Sequence, residues 1–509
     1  MKSSFLRALA AAWLLFTAGC VVFHLKVKPV SPKESVTVNT PVKAHLKDGT
    51  TVVFRKGIRV EQGFLRGRGA HYDLSLSDSK EVEQVALESV VGVESFHSKL
   101  NIGSTVALNL AGVGAVVGGA VLALILFGSC PTVYSDDGKT EESELFSSSI
   151  APLFEARDVD RLHAQADSNG VLRLRIRNEA LETHYINHLQ LFESEHSGDE
   201  FVLPDGNGRP IAVRGVQTPE DIVGRNGLNL HSTLSESGGG FYKTDQSRID
   251  AATKEDYTDW IDLTAPITPG ATSVALVFRM RNSLLSTTML YDMMLAPSGA
   301  RALDWLGSSL SQIGTAVELG RWHQRMAGLH VMVWEGGTFR EVVRISDSGP
   351  IMWKDIAAEV PVQKGAQTVK IRLSFLADQW RFDRIGVAAS HRLPRTQTID
   401  LSHVTEVDGQ QHSKAANGLM KPDDQYLQTG PGDSFDAHFA VGVKEQPRTF
   451  LLSSQGYYTE WIRGSWIQNA STREPFLPTD ESAVAVLRQW SAKRVSFENQ
   501  FMTYRVSAR

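Results

Sequence analysis

The sequence predicts a mainly β protein: a small β-barrel or meander, one transmembrane helix, then a β-sandwich-rich body with a few helices. Three observations carry this. Apolar and polar side chains alternate in TSVALVFRMRN, HVMVWEGGTFREVVRI and TVKIRLSF, the period of half-buried strands. One long uncharged stretch, residues 100–135, divides the chain. The composition, 42% hydrophobic and 21% charged, is that of a folded protein and excludes wholesale disorder. The 509 residues suit about three domains. A net charge of −5 argues against a nucleic-acid binder, and two cysteines exclude a disulfide scaffold or a multi-cysteine metal site.

The N-terminus carries Lys2 and Arg7, a short apolar run from Ala8 to Phe16, then the small residues Thr17, Ala18 and Gly19 before Cys20. Nine apolar residues are too few for ~30 Å of hydrocarbon, so 1–19 reads as a removed signal peptide. Thr17-Ala18-Gly19-Cys20 resembles the lipobox of bacterial lipoproteins, with Thr17 where most members have Leu. The resemblance implies cleavage before Cys20 and acylation there, which gives stable attachment to a bilayer. Val21 in place of Asp points to the outer membrane of the cell envelope. Residues 20–40 read as a lipidated tether.

Residues 41–97 form a small β-module, with a hairpin at Asp48-Gly49 and strands near 58–61, 63–66, 71–76 and 90–96. It resembles the SH3- or Sm-like modules of envelope proteins. Residues 105–127 contain only Thr105 and Asn109 as polar side chains, and at ~1.5 Å per residue can cross a bilayer. The membrane helix is placed at 103–128. Gly103, Ala107, Ala111, Ala115, Gly119 and Ala123 recur every four residues, and Gly114 and Gly118 form a second pair. Such ridges let helix backbones approach closely in lipid, so this face is expected to pack on a partner helix or another copy. The pattern resembles the glycine zippers of outer-membrane lipoproteins.

The body divides into a β-rich domain at 131–260, a jelly-roll-like sandwich at 261–400 and a C-terminal β/α region at 401–509. Cys130-Pro131, Tyr134, the run Arg177-Asn178-Glu179, Glu182, Tyr185 and Ile186 resemble a module of bacterial exported proteins without assigned chemistry. QWRFDRIGVA resembles a closing strand of galactose-binding-like jelly rolls. One helix is expected at 298–318, capped by Ser298 and burying Leu303, Leu306, Leu310 and Ile313. A second starts at Thr479 or Asp480 and buries Val484, Leu487 and Trp490. Residues 405–435 read as a loop.

Chemistry-bearing constellations are few. His184 and His188 would share a metal on a helix, but on a strand they stand ~13 Å apart and read as solvated histidines. Asp136-Asp137-Gly138 and Asp205-Gly206-Asn207-Gly208 read as turns. Asp158 and Asp160 read as surface ion pairs with Arg157 and Arg161, and Cys130 as a packed thiol. No nucleophile elbow, phosphate loop or zinc-protease motif occurs. The expectation is therefore a non-enzymatic envelope lipoprotein with a structural, scaffold or assembly role, without metal or cofactor. The alternatives are a carbohydrate- or surface-binding lipoprotein using a jelly-roll face, and a hydrolase with an unrecognised site. For the first alternative the candidate ligand-binding aromatics are Trp334, Trp353, Trp380, Tyr457, Tyr458 and Trp461.

Overall fold

The computed structural model describes residues 35–73, 79–96, 131–135, 140–144, 155–308, 327–347, 349–350, 352–469, 479–502 and 506. Among these residues strand makes up 49% and helix 17%, so the described structure is mainly β. The signal, Cys20, Cys130, Asp136 to Gly138 and the expected membrane helix lie outside the described residues, as do Leu310 and Ile313. Among those described, no helix is long and apolar enough to cross a membrane.

The first strands are β1 (Val36–Val38), β2 (Val42–Leu46), β3 (Thr51–Phe54), β4 (Ile58–Glu61), β5 (Phe64–Tyr72), β6 (Ser79–Ala86) and β7 (Val90–Ser95). Gly49, at φ +85°, turns β2 into β3 as the Asp-Gly pair requires. β1 pairs with β4, so the expected tether gives way to ordered strand at 36–38. Next come β8 (Thr132–Tyr134), β9 (Thr140–Glu144), β10 (Ala156–Arg161), β11 (Val171–Arg177) and β12 (Glu182–Glu195).

The chain then runs through β13 (Glu200–Pro204), β14 (Pro210–Gln217), β15 (Asp221–Gly224), α1 (Gln246–Asp250), β16 (Thr258–Pro266) and β17 (Ser273–Asn282). A helical run at 285–298 (α2) and α3 (Arg301–Gly307) follow. After them come β18 (Leu329–Glu335), β19 (Thr338–Ile345), β20 (Lys354–Pro361), β21 (Thr368–Leu376) and β22 (Trp380–Arg392). The last elements are β23 (Gln397–Asp400), β24 (His403–Thr405), α4 (Ser413–Leu419), β25 (Leu427–Thr429), β26 (Ser434–Ala440), β27 (Arg448–Glu460), β28 (Ile462–Arg463), α5 (Gly464–Asn469) and α6 (Asp480–Met502).

Among the described residues the strands form five antiparallel sheets. One runs β24-β26-β11-β8-β9 and another β10-β27-β12-β23, with β25 on β12. They enclose a core that includes Leu172, Leu174, Ile186, Leu191, Phe435 and Phe439. The sheets β13-β14-β22-β17-β20 and β15-β16-β21-β18-β19 enclose a second, with Leu263, Phe278, Leu373, Phe375 and Phe382. This second sandwich is inserted between β12 and β23. The expected end-to-end series of domains therefore becomes one sandwich nested in another. Sequence periodicity finds strands, but it carries no record of which distant strands pair.

The fifth sheet joins the two ends of the chain. Its order is β1-β4-β5-β3-β2-β7-β28, with β6 on β5. Ile462 pairs with Val93 and Arg463 with Gly92. The core beneath it draws Val42, Phe54 and Leu65 from the sheet, Leu290, Met294, Leu303 and Leu306 from α2 and α3, and Leu487 and Trp490 from α6. Asp304 on α3 accepts hydrogen bonds from the backbone of Asn39 and Thr40 at 2.9 Å each. Leu303 and Leu306 are buried as expected, but Ser298 ends α2 instead of capping α3, its Oγ donating to the Met294 carbonyl. The 405–435 region is also more than loop, since it holds α4, β25 and the start of β26.

Candidate functional site

Strand alternation sends one set of side chains from β15-β16-β21-β18-β19 into the sandwich core and the other set outward. On β16, Ile261 and Leu263 point in, while Trp260 and Asp262 point out. On β21, Ile371 and Leu373 point in, while Lys370, Arg372 and Ser374 point out. The register sets Asp262 beside Arg372, Arg372 beside Met332, and Trp334 beside Phe339. Gly336 and Gly337, at φ +59° and +87°, make the two-residue turn that fixes this last pair.

The outward residues form a continuous stack. The Arg225 guanidinium lies 4.0 Å from the Trp260 ring centre. Arg372 lies between Trp260 and Phe339, at 4.4 and 4.2 Å. Phe339 meets Trp334 edge to face, with centres 5.0 Å apart and planes at 68°. Carboxylates hold the cations in place. Asp262 accepts both Arg372 bonds at 2.7 Å, and Asp256 accepts from Arg225 at 2.6 and 2.9 Å. The Arg225 hydrogen bond holds the Asp256 carboxyl below its usual range. At the far edge, burial raises the Glu341 carboxyl, but bonds from His330 and Arg344 outweigh this and hold it at about 2.

Trp334 is 46% exposed, and Trp260 and Phe339 are half-buried. The face thus offers fixed aromatic rings with hydrogen-bonding carboxylates and guanidinium groups between them. Arg225, Arg344, Lys370 and Arg372 are matched by Asp221, Asp256, Asp262 and Glu341, so the face has no positive stripe to follow a phosphate backbone. A neutral ligand with apolar ring faces and many hydroxyls fits this chemistry.

The other candidate aromatics are scattered. Trp380 and Tyr458 are fully buried and serve two different cores. Trp461 is buried against Gly92, stacked on His45 at 3.7 Å, and its Nε1 donates to Thr183. Tyr457 stacks on Tyr185 at 4.6 Å and is buried. Trp353 is half-buried beside the exposed Phe241. Trp260, Phe339, Arg225 and Arg372 were absent from the candidates. Trp260, Phe339 and Arg372 stand at outward strand positions, which was the available signal, and Arg225 follows β15 directly, but their meeting depends on cross-strand register.

Other constellations prove structural. His184 is fully buried, not solvated, and hydrogen-bonds Glu182. His188 points the other way across a bulge at Asn187, and no metal-binding group occurs among the described residues. Asp158 and Asp160 are not surface partners of Arg157 and Arg161. They share Lys354, at 2.9 and 2.7 Å, in the joint between the two sandwiches, where Lys354 and Asp160 are buried. Arg161 instead pairs with Asp355. A cleft of about 380 Å³ opens beside this joint and includes Asp347, whose carboxyl burial pushes up to about 7. Asp347 accepts from Asn282, Gly328 and Gln379, which commits it to holding the β19–β20 connection. Asp205 accepts from the backbone of Asn207 and Arg209, a turn as expected.

No protein-family model and no curated protein matches the chain. Solved structures align only loosely. The C-terminal carbohydrate-binding module CBM6 of a laminarinase from Zobellia galactanivorans is 11% identical, covering 39% of this chain and 98% of its own, with TM-score 0.14. Allantoicase is 13% identical, covering 58% and 100%, with TM-score 0.18. An exo-beta-1,3-galactanase from Phanerochaete chrysosporium is 8% identical, covering 70% of each chain, with TM-score 0.15. Superpositions this loose assign no shared activity, so the reading of the site rests on its own geometry.

Proposed function

We propose that the chain is a non-catalytic envelope lipoprotein, attached to the membrane through Cys20, whose β-rich body holds carbohydrate on the outward face of β15-β16-β21-β18-β19. Its role is structural: it keeps glycan at the membrane surface. The segment 103–128 adds a membrane helix that packs through its small-residue ridge. The observation supporting the reading is the Arg225–Trp260–Arg372–Phe339–Trp334 stack. Asp256 and Asp262 fix the guanidinium groups that stack on Trp260 and Phe339, so the row forms an ordered bed beside the exposed Trp334 ring, the face a sugar ring would cover. Titration of the full chain in detergent with laminari-, cello- and chitohexaose tests it. Trp334→Ala is expected to weaken binding at least about tenfold, ~1.4 kcal/mol, without lowering the melting temperature, because Trp334 is exposed. Absence of binding to all three, or binding indifferent to Trp334→Ala, refutes the reading. Attachment is tested by palmitate labelling, which Cys20→Ser should abolish.

A further inference from the structure

We infer that the inserted sandwich carries a second carbohydrate-binding surface, built from Phe241, Trp353 and Arg281 on the side opposite Trp334, so that one molecule bridges two glycan strands. The inference rests on the carbohydrate reading of the first face and extends it.

Strand alternation fixes the placement. On β17, Phe278 and Met280 enter the core shared by the two sheets, so Arg279 and Arg281 lie on the other side. On β20, Ile356 and Ala358 enter the same core, which puts Asp355, and Trp353 just before the strand, with the arginines. The outward stack around Trp334 belongs to the opposite sheet, so at least the ~10 Å between stacked sheets separates the two surfaces.

The chemistry repeats that of the first face. The Phe241 and Trp353 rings are 5.8 Å apart at 59°, an open corner with two aromatic walls. The Arg281 guanidinium lies 5.0 Å from the Trp353 ring centre and donates to the Pro350 carbonyl. Phe241 is 43% exposed. It follows Gly238-Gly239-Gly240, where an added Cβ would meet nothing within 4 Å. The loop is nevertheless fixed, since the Gly238 amide donates to Asp383, which pairs with Arg279 at 3.3 Å. A hydrophobic exposed beside a stacked guanidinium on a pinned loop suits a pyranose ring lodged in the corner, with its hydroxyls on Arg281.

Two such surfaces give bridging. A short oligosaccharide fills each separately, while a long polysaccharide joins molecules into a network. The test is calorimetric titration of the full chain in detergent with laminari-, cello- and chitohexaose, and turbidity with the parent polysaccharides. The expected stoichiometry is two hexaoses per chain, falling to one in Trp353→Ala and in Phe241→Ser, with the affinity of the remaining site unchanged. Turbidity is lost in those variants and in Trp334→Ala. Phe241→Ser guards against misfolding, because its side chain is exposed. One hexaose per wild-type chain, lost in Trp334→Ala and unaffected by Trp353→Ala and Phe241→Ser, overturns the second surface and leaves the first. Failure of every hexaose to bind overturns both.

Discussion

Glu460 and Glu182 are directly opposite one another on β27 and β12, and both are almost completely buried. Burial, together with the Glu182 charge, raises the Glu460 carboxyl well above its usual range, although Arg463 and Tyr291 favour its ionised form. Paired strand positions lie about 5 Å apart, where two charges at an effective dielectric of 20 repel by on the order of 3 kcal/mol. Glu460 is therefore protonated when folded and ionised when unfolded over the pH range between its two pKa values. A raised folded value means that its contribution is complete below the unfolded pKa and is lost as pH rises through the folded one. Each pH unit in that window removes ~1.4 kcal/mol of stability. Asp347, raised to about 7, acts in the same direction up to that pH. Glu94 acts oppositely and only in acid, because His45 and Lys43 outweigh its burial and hold it at about 2. Glu460→Gln keeps the shape and removes the titration. Urea unfolding followed by tryptophan fluorescence, at half-unit steps from pH 5 to 8.5, should show a falling stability in the wild type. Below the folded pKa of Glu460 the slope in the variant should be shallower by up to ~1.4 kcal/mol per pH unit. Parallel slopes would refute the assignment.

Two further variants probe the buried charges. Lys354→Met leaves Asp158 and Asp160 facing each other in the joint between the sandwiches and should cost ~3–5 kcal/mol in urea unfolding. Asp378 is fully buried at φ +62°, bonds Arg381 at 2.8 Å, and accepts from Trp490 Nε1 at 2.7 Å. Asp378→Ala loses both partners and adds ~1–2 kcal/mol of left-handed strain, whereas Asn tolerates that backbone better. Hydrogen exchange along α6 should therefore accelerate more in Asp378→Ala than in Asp378→Asn.

Strands with one buried face were legible because their period survives in the sequence. The residues 273–282, 329–335, 338–345 and 368–376 stand where alternation placed them. β6 was missed because Ser79 to Ala86 reads SKEVEQVA, a mostly exposed strand paired only with β5. The helical run at 285–298 was missed because LSTTMLYDMMLAPS is apolar on most sides, as suits an element buried between a sheet and α6. The candidate face was half legible. Trp334 was named, but the partners that make it a surface come from strands 70 residues earlier and 40 later in the chain. Their shared row is a property of register, which the turn at Gly336-Gly337 and the pairing of β16 with β21 determine.

The nesting of the sheets has a consequence for cutting the chain. The uncharged segment suggests a clean division, with 131–509 as an autonomous body. The folded structure denies that autonomy. Removing 35–96 strips β1 and β7 from α3, which carries the buried Leu303 and Leu306, and leaves β28 without β7. It also removes Asn39 and Thr40 from Asp304, and Lys43, His45 and Glu94 from the polar network against Trp461. Each large side chain returned to water costs ~1.5–3 kcal/mol, so uncovering Leu303 and Leu306 alone removes a large part of a typical domain stability of ~5–15 kcal/mol. A fragment of 131–509 should therefore be protease-sensitive around α2, α3 and α6 while its two sandwiches remain folded. Co-expression with 35–96 should restore protection, because β7 recovers β28 and the shared core closes. Equal proteolytic resistance of 131–509 alone and of the full chain would show that the terminal sheet merely rests on a core already complete.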